Sequence, residues 1–334
     1  MRYGFVVDHR KCIGCHACTV ACKAEHDVPI GSFRTWVKYI EKGQYPSSRR
    51  FFSVLRCNHC DKAPCITICP VTALFRRDNG IVDFDGDRCI GCKACMQACP
   101  YDALYINPNT NTAEKCNFCA HRIETRREPA CVIVCPVQAI VSGDLDDPST
   151  NISQLIAAEK TLVRKPEAGT EPKLHYIEVD ESSLVPTDQT HAKGYLWAEL
   201  HLDPLLEDEQ SMAEAEARAR TTYDVSHDRP WGWKVSAYLW TKSVSAGAFL
   251  VASLGIGLGF ARTDWLFGSV APQISLVFLA ATLALLVVDL KRPERFLRVL
   301  LWPQWRSWLV IGGYILFGYG FLLAAWIGAQ LLDL

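Results

Sequence analysis

The hydrophobic positions of this chain are unevenly distributed, and its last third holds long runs of them. Residues 307–332 are 26 consecutive uncharged residues, residues 266–288 are another 23, and residues 235–260 are interrupted only by Lys242. Because a hydrocarbon core about 30 Å thick needs about 20 helical residues, this pattern predicts three transmembrane helices, over residues 235–260, 266–290 and 307–332. Eight of the ten tryptophans lie in residues 231–334, and several flank these runs as in an aromatic belt.

Residues 1–143 have only short apolar segments. Residues 4–7, 51–55 and 81–84 have the character of strands, and residues 31–45 are interpreted as an insertion. No segment has enough apolar periodicity to build a large core alone. We therefore expect metal ligation to stabilise this region.

Residues 144–230 are predicted to be an acidic linker or docking segment between domains at 1–143 and 231–334. Prolines interrupt it, residues 175–179 have strand character, and Ser211 with Glu214 forms a capping box for a helix over residues 212–220. The formal charges of the three regions are +6, −11 and +4, although the whole chain is near neutral at −1. This near-neutrality argues against a nucleic-acid binder. The acidic excess indicates a solvated surface, with a docking face for a basic partner as the alternative.

All sixteen cysteines lie between Cys12 and Cys135. They form four runs of four: Cys12, Cys15, Cys18 and Cys22; Cys57, Cys60, Cys65 and Cys69; Cys89, Cys92, Cys95 and Cys99; Cys116, Cys119, Cys131 and Cys135. The first residues contain no apolar signal sequence and no twin arginine, so we expect a reducing compartment, in which thiols bind metal instead of forming disulfides.

The spacing within the runs suits an iron–sulfur cubane. Three cysteines at intervals of three wrap one cluster, and the fourth ligates a neighbouring cluster, so sixteen thiolates predict four 4Fe–4S clusters. Structural zinc is the alternative, with Cys57/Cys60 and Cys116/Cys119 as possible ligand pairs. Four cysteines within eleven residues favour the cubane. The nearby histidines are not needed as ligands, and His59 is expected to shape its loop.

With these runs, residues 1–143 resemble the four-cluster ferredoxin-type subunit of molybdopterin oxidoreductases such as the dimethyl sulfoxide, polysulfide and formate enzymes. The resemblance implies an α+β fold of two ferredoxin modules, one inserted into the other, and a catalytic molybdopterin subunit as partner. It also implies four ligand sets, which we number in this order: Cys12, Cys15, Cys18 and Cys135; Cys22, Cys116, Cys119 and Cys131; Cys57, Cys60, Cys65 and Cys99; Cys69, Cys89, Cys92 and Cys95.

Residues 231–334 resemble the start of the polysulfide-reductase membrane subunit, the NrfD-like family, through SAGA at 245–248 and DLKRPERF at 289–296. This resemblance implies quinone binding without haem. All nine histidines lie at or before His227, which independently excludes a bis-histidine haem in the spans. The family has about eight or more spans. Three spans imply either that another NrfD-like polypeptide supplies further helices or that the chain is a fragment.

Three ionisable residues are candidates for quinone or proton binding, because charges in spans are costly and often functional: Lys242, Asp289 and Tyr238. The alternatives are snorkelling of Lys242 to the interface and a salt bridge from Asp289 to Lys291 or Arg292. The loop after the second span is rich in arginine, which predicts an inner-membrane protein with its cluster domain on the cytoplasmic face.

These observations predict a membrane-anchored electron-transfer subunit that connects a catalytic subunit to the quinone pool. Lys11, Lys93 and Lys115 are expected to tune the cluster potentials. One alternative is the iron–sulfur subunit of a membrane-bound nickel–iron hydrogenase, and another is a structural zinc-binding membrane protein. We do not expect an autonomous enzyme or a bound nucleotide, because the chain has no phosphate-binding glycine loop, Ser-His-Asp constellation, or flavin or nicotinamide fingerprint.

Overall fold

The computed structural model describes residues 1–43, 46–184, 190–191, 219–225, 231–259 and 265–332. The chain divides into two compact units. The first unit comprises residues 1–66, 74–84 and 96–228, and the second comprises residues 67–73, 85–95 and 229–334. The second unit therefore combines the C-terminal helices with two loops from the cysteine-rich part of the chain, a grouping that the sequence pattern does not indicate.

The elements are named in chain order. The strands are β1 (Tyr3–Asp8), β2 (Thr35–Lys42), β3 (Arg49–Arg56), β4 (Leu74–Arg76), β5 (Val82–Phe84), β6 (Leu104–Ile106), β7 (Ala113–Lys115), β8 (Ile140–Asp144), β9 (Thr161–Leu162), β10 (Leu174–Ile177), β11 (Thr190–His191) and β12 (Arg220–Tyr223). The helices are α1 (Ala17–Glu25), α2 (Pro64–Ile68), α3 (Ala94–Ala98), α4 (Ala120–Glu124), α5 (Ala130–Ile133), α6 (Asn151–Ala158), α7 (Glu181–Leu184), α8 (Trp233–Gly257), α9 (Ala271–Asp289), α10 (Arg298–Leu301) and α11 (Trp308–Leu331).

The first sheet has the order β8-β1-β10-β9, and β1 is buried at its centre. β1 pairs antiparallel with β8 and parallel with β10. Val6 of β1 and Ile177 of β10 form a small core cluster with Ile152 of α6. The part of the predicted acidic segment that precedes residue 185 is therefore folded against β1.

The second sheet has the order β11-β12-β2-β3. β2 and β3 pair antiparallel along their full lengths, and β12 pairs with the other edge of β2 with an irregularity between Thr221 and Tyr223. Trp36, Leu55 and Val225 form its core cluster. The predicted insertion at residues 31–45 thus supplies β2. Two further hairpins, β4-β5 and β6-β7, complete the described strands.

The strands predicted at residues 4–7, 51–55, 81–84 and 175–179 are confirmed as β1, β3, β5 and β10, with ends shifted by one to two residues. The capping box at Ser211 and Glu214 lies outside the described residues. The predicted helix over residues 212–220 is wrong at its last two residues, because Ala219 is not helical and Arg220 begins β12 and pairs with Glu41.

Three helices of the second unit are long and apolar enough to cross a membrane: Trp233–Gly257, Leu266–Asp289 and Trp308–Gln330. They confirm the three predicted spans. Hydroxyl groups link them internally: Thr241 and Thr282 lie 2.8 Å apart at their side-chain oxygens, and Ser245 donates to the carbonyl of Ser275 at 2.7 Å. Tyr319 of α11 donates to the carbonyl of Ser245 at 3.0 Å. Small residues at such positions let membrane helices approach closely.

Candidate iron–sulfur centres and membrane contact

All sixteen cysteines are described, and none forms a disulfide. Eleven are buried, four are partly buried, and Cys15 is exposed. Among the described residues, no three Cys, His, Asp or Glu side chains are arranged around a single metal ion.

The first set lies around one apolar cavity. Cys12, Cys15, Cys18 and Cys135 all line this cavity. The backbone N–H of Ala139 donates to Cys135 Sγ at 3.2 Å. Burial raises the pKa of Cys18 to about 11, so a free thiolate is unfavourable there. Bound iron reverses this preference because it stabilises the thiolate.

The second set is gathered between α1, β7, α4 and α5. Burial is the main reason that the pKa of Cys22 rises to about 12, and the nearby thiols of Cys131 and Cys119 contribute. His26 Nε2 lies 3.2 Å from Cys119 Sγ, and Arg56 Nη1 donates to Cys131 Sγ at 3.1 Å. Hydrogen bonds of this kind to cluster sulfurs are one of the means by which proteins tune cluster potentials.

The third set lines a second apolar cavity, to which Cys57, Cys60, Cys65 and Cys99 all contribute. The pKa of Cys60 is raised to about 12, mainly by burial and also by Cys57. His59 is 1% exposed, and its Nδ1 accepts the backbone N–H of Val82 at 3.2 Å. This contact ties the loop to β5, in agreement with a loop-shaping role for His59.

The fourth set lies wholly in the second unit. Burial raises the pKa of Cys92 to about 12, with contributions from the neighbouring thiols of Cys69 and Cys89. The backbone N–H of Ala73 donates to Cys69 Sγ at 3.2 Å, which repeats the contact from Ala139 to Cys135. Both donors come four residues after the cysteine that precedes a proline, so the same local turn serves two sets.

One backbone feature is common to all four runs. The residue just before the second cysteine of each run has a positive φ: Gly14 (67°), His59 (45°), Gly91 (67°) and Phe118 (64°). This left-handed conformation bends the backbone between the first and second cysteines of each run. Non-glycine residues seldom adopt it, and such strain is characteristic of functional sites. The sequence carries a partial signal of the turn, because a glycine precedes the second cysteine in two runs.

Comparisons with known proteins support iron–sulfur binding by this part of the chain. Residues 49–145 match a family model described as a 4Fe–4S dicluster domain, residues 10–25 match a 4Fe–4S binding domain, and residues 222–333 match polysulphide reductase, NrfD.

The chain covers most of the length of several named relatives. A tetrathionate reductase subunit of Salmonella typhimurium is 43% identical over 204 residues, which are 60% of this chain and 81% of the relative. A putative dimethyl sulfoxide reductase iron–sulfur subunit of Halobacterium salinarum is 35% identical over 263 residues, covering 68% and 96%. A polysulfide reductase polypeptide of Wolinella succinogenes is 40% identical over 181 residues, covering 53% and 94%.

This protein belongs to the family of reductase iron–sulfur subunits. Within this family it joins the cluster domain and an NrfD-type membrane region in one polypeptide. The predictions of 4Fe–4S binding domains, of an α+β ferredoxin-like fold and of an electron-transfer subunit that is not itself the catalytic subunit are confirmed. The structural zinc alternative finds no support in these matches.

The loops of the fourth set are hydrogen-bonded to residues that border the membrane helices of this iron–sulfur subunit. The side chain of Arg295 donates to the carbonyls of Gly86 and Cys89 at 2.7 and 2.9 Å. Ser307, the N-cap of α11, donates to the carbonyl of Ile68 at 2.6 Å. The backbone N–H of Lys291 donates to the carbonyl of Gly91 at 3.2 Å. The fourth ligand set is therefore fixed beside the ends of α9 and α11.

The three candidate quinone residues of this protein have different surroundings. Asp289, the last residue of α9, forms an ion pair with Lys93 Nζ at 2.9 Å, and its side chain is 19% exposed. Its partner, Lys93, lies in the loop over residues 85–95 that carries Cys89, Cys92 and Cys95, here called the fourth cluster loop. This contact was not predicted from the sequence. Tyr238 lies within electrostatic reach of Asp289. Lys242 is exposed on α8, and the described residues give it no hydrogen-bond or ion-pair partner.

Proposed function

We propose that this subunit relays electrons through four 4Fe–4S clusters between a catalytic molybdopterin subunit and a quinone in the inner membrane. When bound, each cluster takes up and releases one electron, at a potential set by its surroundings. The ligands we assign are the four sets given above: Cys12, Cys15, Cys18 and Cys135; Cys22, Cys116, Cys119 and Cys131; Cys57, Cys60, Cys65 and Cys99; Cys69, Cys89, Cys92 and Cys95.

Proximity between sets supports a linear order. Cys18 of the first set interacts electrostatically with Cys131 of the second, and Cys116 of the second set interacts with Cys57 of the third. Consecutive ligand sets therefore lie close together within the first unit, as a relay requires. The catalytic partner is proposed from the relatives, which are named as subunits of tetrathionate, dimethyl sulfoxide and polysulfide reductases.

The proposed electron exchange with a quinone rests on one observation: loops of the fourth set are bound to the ends of the membrane helices. Arg295 and Ser307 donate to carbonyls of the two loops, and Lys93 forms an ion pair with Asp289. The residue next to Cys92 thus contacts the end of a membrane helix. A redox carrier that enters from the lipid at this level would lie beside the fourth set.

We assign the quinone contact to the neighbourhood of Asp289 and Tyr238. The carboxylate and the phenol can hold or deliver a proton when a quinone oxygen changes charge. Lys242 stays a weaker candidate because it is exposed and the described residues give it no hydrogen-bond or ion-pair partner. Three helices enclose little space, so we propose that an NrfD-like polypeptide supplies the remaining walls of the site.

We also propose that the cluster domain faces the cytoplasm. The arginine-rich loop after the second span supports this orientation. Arg295 and Arg298 of that loop donate to carbonyls of the fourth cluster loop, so their charge serves this contact as well. Protease accessibility in sealed inside-out and right-side-out vesicles tests the orientation. Cleavage of the cluster domain only in right-side-out vesicles would contradict it.

Quinol-driven reduction tests the membrane end. The complex is purified anaerobically from membranes, and the appearance of reduced clusters after addition of a soluble quinol is followed by freeze-quench EPR. We expect Asp289→Asn to slow this reduction at least tenfold, while reduction by dithionite is unchanged. Glu294→Gln is the matched control, because Glu294 is an exposed carboxylate in the segment that follows α9. Equal rates in both variants, or no quinol-driven reduction of the unaltered complex, would contradict the proposal.

A further inference from the structure

Arg56 is a buried cation that contacts a different ligand set from the one next to it in the sequence. It is the last residue of β3 and precedes Cys57 of the third set. Its side chain nevertheless reaches the second set, where Nη1 donates to Cys131 Sγ at 3.1 Å. Arg56 is 0% exposed, so water does not screen its charge.

The charge of Arg56 has no carboxylate partner among the described residues. Its Nε and Nη2 atoms are buried without a hydrogen-bond partner, and Cζ lies 4.7 Å from the centre of the Phe5 ring. Arg34, the other arginine buried near the second set, is instead paired with Glu114 at 2.7 Å. A buried cation without a counter-ion is costly, so the surroundings of Arg56 must supply negative charge.

Two ligand sets can supply negative charge near the Arg56 guanidinium. The guanidinium favours the thiolate form of Cys12 and Cys18 in the first set and of Cys22 and Cys116 in the second. Thiols of both sets are therefore within its electrostatic reach. Two donor nitrogens of Arg56 have no partner and a third donates to one thiol sulfur, so sulfur atoms of bound clusters would complete its hydrogen bonding.

We propose that Arg56 is the shared counter-ion of the first and second clusters and that it raises the reduction potential of both. This inference rests on the proposed assignment of the two ligand sets. Uptake of one electron makes a cluster with its four thiolates more negative by one charge. A fixed cation nearby stabilises that reduced form more than the oxidised form, because the apolar surroundings screen the interaction weakly. Arg56 acts on the potentials and takes no part in the transfer itself.

Redox potentiometry followed by EPR on the anaerobically purified complex tests the role of Arg56. We expect Arg56→Gln to lower the one-electron reduction constants of two clusters at least tenfold, which corresponds to about 59 mV. The other two clusters serve as internal references and should change less than threefold. Arg56→Lys, which keeps the charge, should restore most of the shift. Arg77→Gln removes an arginine that is paired with Asp83 and Glu124, and it is the matched control.

If the Arg56→Gln complex does not assemble, the unaltered complex still allows a test. Arginine labelled with ¹⁵N in the guanidino group should give a nitrogen hyperfine coupling to a reduced cluster, and Arg56→Lys should abolish it. No coupling in the unaltered complex, or potentials of Arg56→Gln equal to those of the Arg77→Gln control, would overturn the inference. Iron analysis separates the two proposals: fewer than about sixteen irons in the unaltered chain contradicts the four-cluster assignment, whereas about sixteen irons with unshifted potentials contradicts only the role of Arg56.

Discussion

Substitution of Gly14 by alanine should weaken the first cluster selectively. Gly14 has φ +67°, and a Cβ atom there would lie 2.3 Å from two ring carbons of Phe52. Phe52 cannot move freely, because its ring packs edge-on against Tyr39 at 5.2 Å, and Tyr39 donates to the Gly14 carbonyl at 2.7 Å. The left-handed backbone costs an alanine about 1–2 kcal/mol, and the overlap adds about 1–3 kcal/mol.

Gly169 offers a matched control. Its φ is +61°, and nothing lies within 4 Å of a Cβ atom built there. Gly169→Ala therefore carries the backbone cost alone. The difference of about 1–3 kcal/mol predicts that Gly14→Ala opens its cluster loop about 5- to 150-fold more often than the control.

Iron release to a colorimetric chelator under anaerobic conditions measures this difference. We expect Gly14→Ala to release about four irons per chain in a fast phase that Gly169→Ala lacks. Adding Phe52→Ala should slow that phase, because the overlap is then relieved. Equal release kinetics for the two alanine variants would refute the geometry of the first set.

Further predictions concern the ion pair, the helix bundle and a buried histidine. Lys93→Met and Asp289→Asn should show a coupling energy of about 1–3 kcal/mol in thermal unfolding of the detergent-solubilised complex, and additive effects would contradict the pair. Ser275→Ala removes a hydrogen bond to Tyr319 of 2.8 Å, so it should cost about 1 kcal/mol in detergent unfolding, and an unchanged midpoint would count against this bundle geometry. Burial lowers the pKa of His9 to about 4, so the unfolded chain takes up this proton first as the pH falls through about 6.5. The free energy of unfolding should thus decrease by up to about 3 kcal/mol between pH 6.5 and 4. If this free energy depends on pH in the same way in His9→Gln and in the unaltered chain, the prediction for His9 is contradicted.

Local sequence patterns predicted the membrane helices and several short strands, because these elements depend on residues that are neighbours in the sequence. The uncharged runs indicated the three membrane helices, and short β-rich segments such as residues 51–55 indicated strands. These predictions succeed because membrane thickness and strand alternation act over neighbouring residues. The spacing of the cysteines likewise indicated iron–sulfur chemistry, since three thiols at intervals of three form one loop around a cubane.

Local sequence patterns do not indicate contacts between residues that are far apart in the sequence. The spacing of the cysteines, for example, does not pair Cys135 with the first run, and this pairing came from family resemblance. The ion pair of Lys93 with Asp289 joins positions 196 residues apart, so no sequence window contains both. Arg56 precedes Cys57 in the sequence and yet reaches Cys131, because the end of β3 turns its side chain toward another ligand set.

The folding of residues 144–184 against β1 was missed for a similar reason. Their acidic and proline-rich composition is typical of a linker, but β10 lies inside the sheet because the edge of buried β1 that faces away from β8 needs a hydrogen-bonding partner. Tertiary pairing thus outweighs local composition here.

Iron and acid-labile sulfide analysis of the anaerobically purified chain, with quantitative low-temperature EPR after reduction, tests the central claim most directly. Four cubanes predict about sixteen irons, about sixteen sulfides and spin intensity equivalent to as many as four reduced clusters per chain. Stoichiometric zinc in place of iron, or a fully assembled chain that holds about eight irons, would contradict the account.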